Sequence, residues 1–133
     1  MSSPDLFSLL PRDKFDVENA GRLVALGYPA TEPVIPQLLE WLQDMNWPVA
    51  QVLQPFLAGI GLPLANDIRR VIADDDHIWS YWVLSEVVAL SGDLVIALRP
   101  ELETLASIDP VDEDARNVRD TATQLLASSG SIM

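Results

Sequence analysis

The sequence predicts an all-α protein whose helices pair into about three stacked hairpins, an α-solenoid, followed by a C-terminal helix. Three observations carry this. Apolar residues recur at helical spacing along nearly the whole chain, nothing alternates convincingly with period two, and Gly, Pro and Asp punctuate the helices regularly. A chain of 133 residues can bury one continuous core without staples, so we read residues 1–133 as one all-helical domain.

The elements follow in order. Asp16 to Leu26 sets Val17, Ala20, Leu23, Val24 and Leu26 on one stripe, with Gly27 as its C-cap. A second helix follows Pro33, with Ile35, Leu38, Leu39 and Leu42 inward. Pro33 and Pro36 fall near its first turn, where a missing N–H costs little. Asn46 is the expected N-cap of a third helix opened by Trp47 and Pro48. Val49, Val52, Leu53, Phe56 and Leu57 face inward from it, Pro55 should kink it, and Gly59 and Gly61 end it.

A fourth helix, Leu62 to Ala73, presents Leu64, Ile68, Val71 and Ile72. Asp74, Asp75 and Asp76 supply a turn and an N-cap for the fifth. Its broad apolar face holds Ile78, Trp79, Trp82, Val83, Val87 and Leu90, and Gly92 is expected to close it. Leu94, Leu98, Leu102 and Leu105 mark the next segment, which Pro100 either kinks or restarts as a shorter helix. Asp109-Pro110 reads as N-cap and first residue of the last helix. There Val111, Ala115, Val118, Ala122, Leu125 and Leu126 form the stripe, and Asp112, Glu113 and Asp114 suit the positive end of the helix dipole.

Gly27, Gly61 and Gly92 are each expected to end one helix and precede another, at intervals of roughly thirty residues. Pro36 and Pro100 also correspond. A helix–turn–helix unit recurring at that interval is what a HEAT-like solenoid requires, because one hairpin cannot bury its own apolar face.

Composition narrows the function classes. Twenty Asp and Glu against eight Lys and Arg give a net charge of −12, which repels nucleic-acid phosphates and anionic lipid and attracts a basic protein or peptide. With 49% hydrophobic and 21% charged residues, the chain has globular composition. It has no cysteine, which excludes disulfides and thiolate metal sites. The start, Met1-Ser2-Ser3-Pro4-Asp5, lacks the features of a signal peptide, and the most apolar stretch, Trp82 to Leu90, is interrupted by Ser85 and Glu86. The expectation is a cytoplasmic protein with no membrane span, monomeric or weakly dimeric.

Three stretches carry a family resemblance. They are Leu9-Leu10-Pro11-Arg12-Asp13-Lys14-Phe15-Asp16, Trp41-Leu42-Gln43-Asp44-Met45-Asn46-Trp47-Pro48-Val49-Ala50 and Ile78-Trp79-Ser80-Tyr81-Trp82-Val83-Leu84-Ser85. With the chain length, they resemble a family of small bacterial HEAT-like proteins known only as a domain of unknown function. The resemblance implies the fold and a bacterial cytosol, and it implies no activity. Ser80 stands where relatives are expected to carry a basic residue.

No catalytic, metal-binding or cofactor-binding constellation is expected. His77 is the only histidine, no Gly-x-Ser-x-Gly occurs, and His77 reads as a solvated residue in a first helical turn. Asp74, Asp75 and Asp76, like Asp109, Asp112, Glu113 and Asp114, lack the alternate spacing and distal Glu of a calcium loop. Gly59-Ile60-Gly61 lacks the Lys and Ser/Thr of a P-loop.

Aromatics are the better signal. Trp41 and Trp82 are read as core, whereas Trp47, Trp79 and Tyr81 are candidate partner-binding anchors with Asp44, Asn46 and Asp76 as their polar rim. The expected function is a non-enzymatic protein-interaction module, in one version an immunity protein against a basic toxin. The alternative is a small enzyme or ligand-binding protein with a carboxylate-lined pocket near Trp47, Trp79 and Tyr81.

Overall fold

A computed structural model of the chain describes residues 5–130. Met1 to Pro4, read above for a leader, lie outside the described residues. Eight α-helices run through the rest: α1 (Val17–Leu26), α2 (Ile35–Glu40), α3 (Pro48–Ile60), α4 (Ala65–Ala73), α5 (His77–Glu86), α6 (Gly92–Ala97), α7 (Arg99–Ala106) and α8 (Glu113–Gly130). Short 3-10 turns at Leu6–Leu9, Glu32–Val34, Trp41–Gln43, Leu62–Leu64 and Val88–Leu90 join or extend them. Among the described residues there is no strand.

The first two helix pairs follow one rule. α1 and α3 each end at a glycine with positive φ, Gly27 at 76° and Gly61 at 72°. With ψ of −177° and −129°, both lie in or near backbone that side chains with a Cβ essentially never adopt. After each comes a 3-10 turn containing proline, Pro33 or Pro63, which leads straight into the next helix. Proline suits such an entry because its fixed φ is helical and no N–H is wanted there.

The third pair departs from the rule, and four expectations are corrected here. Gly92 opens α6 instead of closing α5, because the Ser91 hydroxyl accepts the Leu94 N–H at 3.3 Å and caps a new helix start. Pro100 sits in the first turn of α7, so the segment is two helices meeting at Leu98, giving eight helices where about seven were expected. Asn46 does not cap α3; Trp47 holds the cap position, and the Asn46 N–H bonds Asp44 Oδ1 at 2.9 Å in a local side-chain turn. α8 starts at Glu113, capped by Asp112, whose carboxylate accepts the Ala115 N–H at 2.8 Å. Val111 therefore precedes the helix and stands 89% exposed.

Packing places the longest helix over the last three. α8 lies against α5, α6 and α7, while α1 packs on α3, α4 on α5, and α5 also meets the 3-10 turn Trp41–Gln43. The core is one cluster to which every helix contributes, including Leu23, Leu38, Leu57, Ile68, Leu84 and Val118, all fully buried. Helical stripes are right at their centres and wrong at their ends: Ala20 and Leu23 are buried, but Val17 and Leu26 are exposed. Ile78 and Leu90, expected on the inner face of the fifth helix, are likewise exposed.

Two polar cross-links tie successive pairs. Gln54 Nε2 on α3 donates to the Glu86 carbonyl at the end of α5, at 2.8 Å. Arg69 on α4 spans two elements, donating to the Ala97 carbonyl at 2.9 Å and to Glu101 at 3.2 Å. No single helix among the described residues is long and apolar enough to cross a membrane; α3 and α4 pass only jointly, and the chain bends by 108° between them.

Candidate interaction surface

Asp44, Asn46 and Trp47 share the loop that leads into α3. There Asp44 is a local organiser: its carboxylate accepts the Asn46 N–H, and its carbonyl accepts the Trp47 N–H at 3.1 Å. Asn46 is exposed, while Trp47 is half-buried and packs on the core cluster. The Trp47 ring meets Trp41 edge-on, with centroids 5.8 Å apart and planes at 74°. That geometry sets the positive ring edge of one indole toward the other's negative face.

Asp76, Trp79 and Tyr81 lie at the start of α5. Asp76 is its N-cap, accepting the Trp79 N–H at 3.1 Å. The Trp79 indole N–H reaches back across the molecule to the Leu39 carbonyl on α2, at 2.8 Å. A tryptophan used this way is fixed at both ends, its ring against the core and its polar edge satisfied. Tyr81 is half-buried against the core as well, with its ring 5.2 Å from that of the half-buried Trp82.

The structure thus joins Trp79 to the end of α2, next to Trp41. Among the described residues no hydrogen bond, ion pair or ring contact links Trp47 with Asp76 or Tyr81. The three stretches that carry the family resemblance nevertheless meet. Val49 N–H donates to the Lys14 carbonyl at 3.0 Å, tying the first stretch to the second. α5, which carries the third, packs on the turn Trp41–Gln43.

One exposed aromatic in the first stretch went unweighted in the sequence. Phe15 is 66% exposed beside Lys14, whose ammonium lies 5.3 Å from the ring centroid. The signal for it was present: an aromatic directly before a helix cap has no helical stripe to join. Asp16, that cap, is held below the usual carboxylate range mainly by the Arg12 backbone N–H at 3.0 Å. Burial opposes this, and Asn19 adds to it through its backbone and amide N–H groups.

A raised carboxylate lies elsewhere, in a cleft of about 360 Å³ between the entries to α2 and α4. Burial pushes Asp67 above its ordinary value, Arg70 at 3.1 Å pulls it back, and Glu32 adds to the rise. Neither Trp47 nor Tyr81 lines this cleft, which is walled by Tyr28, Pro33, Pro36 and Pro63. Among the described residues no group of three or more His, Asp or Glu is placed to hold a metal ion.

The model of a family described as a domain of unknown function (DUF5071) matches residues 9–126. No curated protein matches the chain.

Proposed function

Because the chain belongs to that family, whose description assigns no activity, we propose from the geometry that it is a non-enzymatic interaction module for a basic protein or peptide. The observation that carries this reading is the convergence of the family-resembling stretches around half-exposed aromatics on a chain of net charge −12. Tryptophans held rigidly at a surface lose little entropy on binding, which makes them good contact anchors. Surplus acid around them speeds encounter with a basic partner and rejects acidic ones. Trp47, Trp79 and Tyr81 are the anchors in this reading, with Asp44, Asn46 and Asp76 at their edge. An immunity protein that neutralises a basic toxin in the bacterial cytosol is its most concrete form.

A HEAT-like solenoid is part of the same proposal. The matching glycine turns at Gly27 and Gly61 and the proline-led entries to α2 and α4 support it, since repeated units present repeated surfaces.

The test is affinity capture from native lysate, followed by calorimetry on the captured partner. Wild type should bind a basic protein at a rate that falls with added salt. A Trp47→Ala variant with matched helicity should bind at least about tenfold more weakly. Equal binding by both proteins would move the interface away from these rings. Capture of no partner would remove the proposal.

A further inference from the structure

A second cleft, of about 410 Å³, opens between α4, α5 and α7. Its size falls in the range of small-ligand sites, about 300–1,000 Å³. Ile72, Leu105 and Ile108 form the apolar part of its wall, and Asp75, His77, Ser80 and Glu101 supply the polar part. Ser80 is the telling residue. It is 2% exposed, it lines the cleft, and among the described residues no group hydrogen-bonds its hydroxyl. A hydroxyl that lines a cleft and that no protein group bonds is free to donate a hydrogen bond to a ligand there or to accept one from it.

The charges around it are unbalanced. Glu101 is neutralised by Arg69 at 3.2 Å. Asp75 makes no ion pair among the described residues and projects from a left-handed backbone, φ 67°, that Asp and Asn tolerate better than most residues. The half-buried His77 ring, likewise unpaired among the described residues, adds a donor or acceptor.

From these features we infer that the cleft binds a cationic nitrogen head, a guanidinium or primary ammonium, on a short apolar stem. The head pairs with Asp75 and donates to the Ser80 hydroxyl and the His77 ring. The stem lies on Ile72, Leu105 and Ile108. This chemistry is that of an arginine or lysine side chain, or of a free alkylamine. The first source deepens the basic-partner reading above and rests on it; the second does not.

The experiment is an amide-resolved NMR titration of the full chain with n-butylguanidinium, with n-butylurea as the uncharged match. Saturable shifts confined to residues 72–80 and 101–108, with a Kd near about 1 mM, are expected for so small a probe. The urea should bind at least about tenfold more weakly. Asp75→Asn keeps a residue type that tolerates the left-handed backbone, and Ser80→Ala deletes only a hydroxyl that no group among the described residues bonds, so both variants should fold, and each should weaken the guanidinium by several-fold. An arginine-bearing acetylated tripeptide amide then separates the sources. Binding at the same amides points to a partner's side chain, and exclusion of the peptide with retained butylguanidinium points to a free amine. Absence of saturable shifts in the cleft, or equal shifts in both variants and wild type, overturns the assignment. Partner capture at Trp47 is read independently, so the cleft and the interaction module fail separately.

Discussion

The first half of the molecule and the second treat the same residue differently. At Gly27 and Gly61 glycine ends a helix because the chain needs a backbone conformation that no Cβ tolerates. At Gly92 glycine begins a helix with ordinary backbone, and Ser91 before it does the capping. The two halves also touch at this point: a Cβ on Gly61 lies 3.3 Å from Ser91 Oγ. An even spacing of glycines therefore marks turns without saying which way each turn works. The difference lies in the neighbour. A serine before Gly92 satisfies the next helix's N–H groups, whereas Leu26 and Ile60 offer no such cap.

This contrast breaks down into measurable steps. Gly61→Ala has the largest expected effect, a loss of about 2–3 kcal/mol in urea unfolding, because backbone strain adds to crowding against Ser91. Gly27→Ala meets open space and suffers the strain alone, so about 1–2 kcal/mol is expected. Equal losses at the two sites would remove the inter-half contact from the argument.

Arg69→Met keeps the stem and deletes the head that joins α4 to α6 and α7. It should cost about 1–2 kcal/mol, since the Ala97 carbonyl loses its side-chain donor. A variant as stable as wild type would make that cross-link incidental.

Asp67 gives a pH-dependent test. Its folded pKa is raised, chiefly by burial, so the native state holds the proton more tightly than the unfolded state. Its contribution to stability is therefore full below the unfolded value and is lost as pH rises through the folded one. Relative to wild type, Asp67→Asn should gain stability as pH rises from the ordinary carboxylate value of 3.8 through the raised folded one and then level off, read as a difference in urea midpoints. A difference that does not change with pH would refute the burial argument.

Gly92→Ala carries the smallest effect and the opposite sign. With ordinary backbone, open space and a helical position, it should stabilise by about 0.5 kcal/mol. Destabilisation there would mean that Gly92 shares the role of Gly27 and Gly61 after all.

Legibility in the sequence followed the range of the forces involved. Ile35, Leu38, Leu39 and Leu42, read from spacing, are all buried, because one helix face is decided by its own periodicity. Ile78 failed because the exposed end of a stripe depends on where neighbouring helices stop. The caps of α3 and α8 were misplaced by a residue or more, since Asp44, Asn46, Asp109 and Asp112 all carry capping groups and only the fold chooses among them. Within the candidate surface, aromatic identity was legible. That Trp79 would bond Leu39, forty positions away, was not.

What the sequence alone determined is the helical class, the central core residues, the acidic balance and the family stretches, all of them set by local pattern or composition. The tertiary structure alone decided that Asp44 organises backbone, that Asp67 is pushed upward, and that Ser80 stands buried at a cleft between α4, α5 and α7. Burial and pairing are properties of what packs around a residue, and helices distant in sequence supply it.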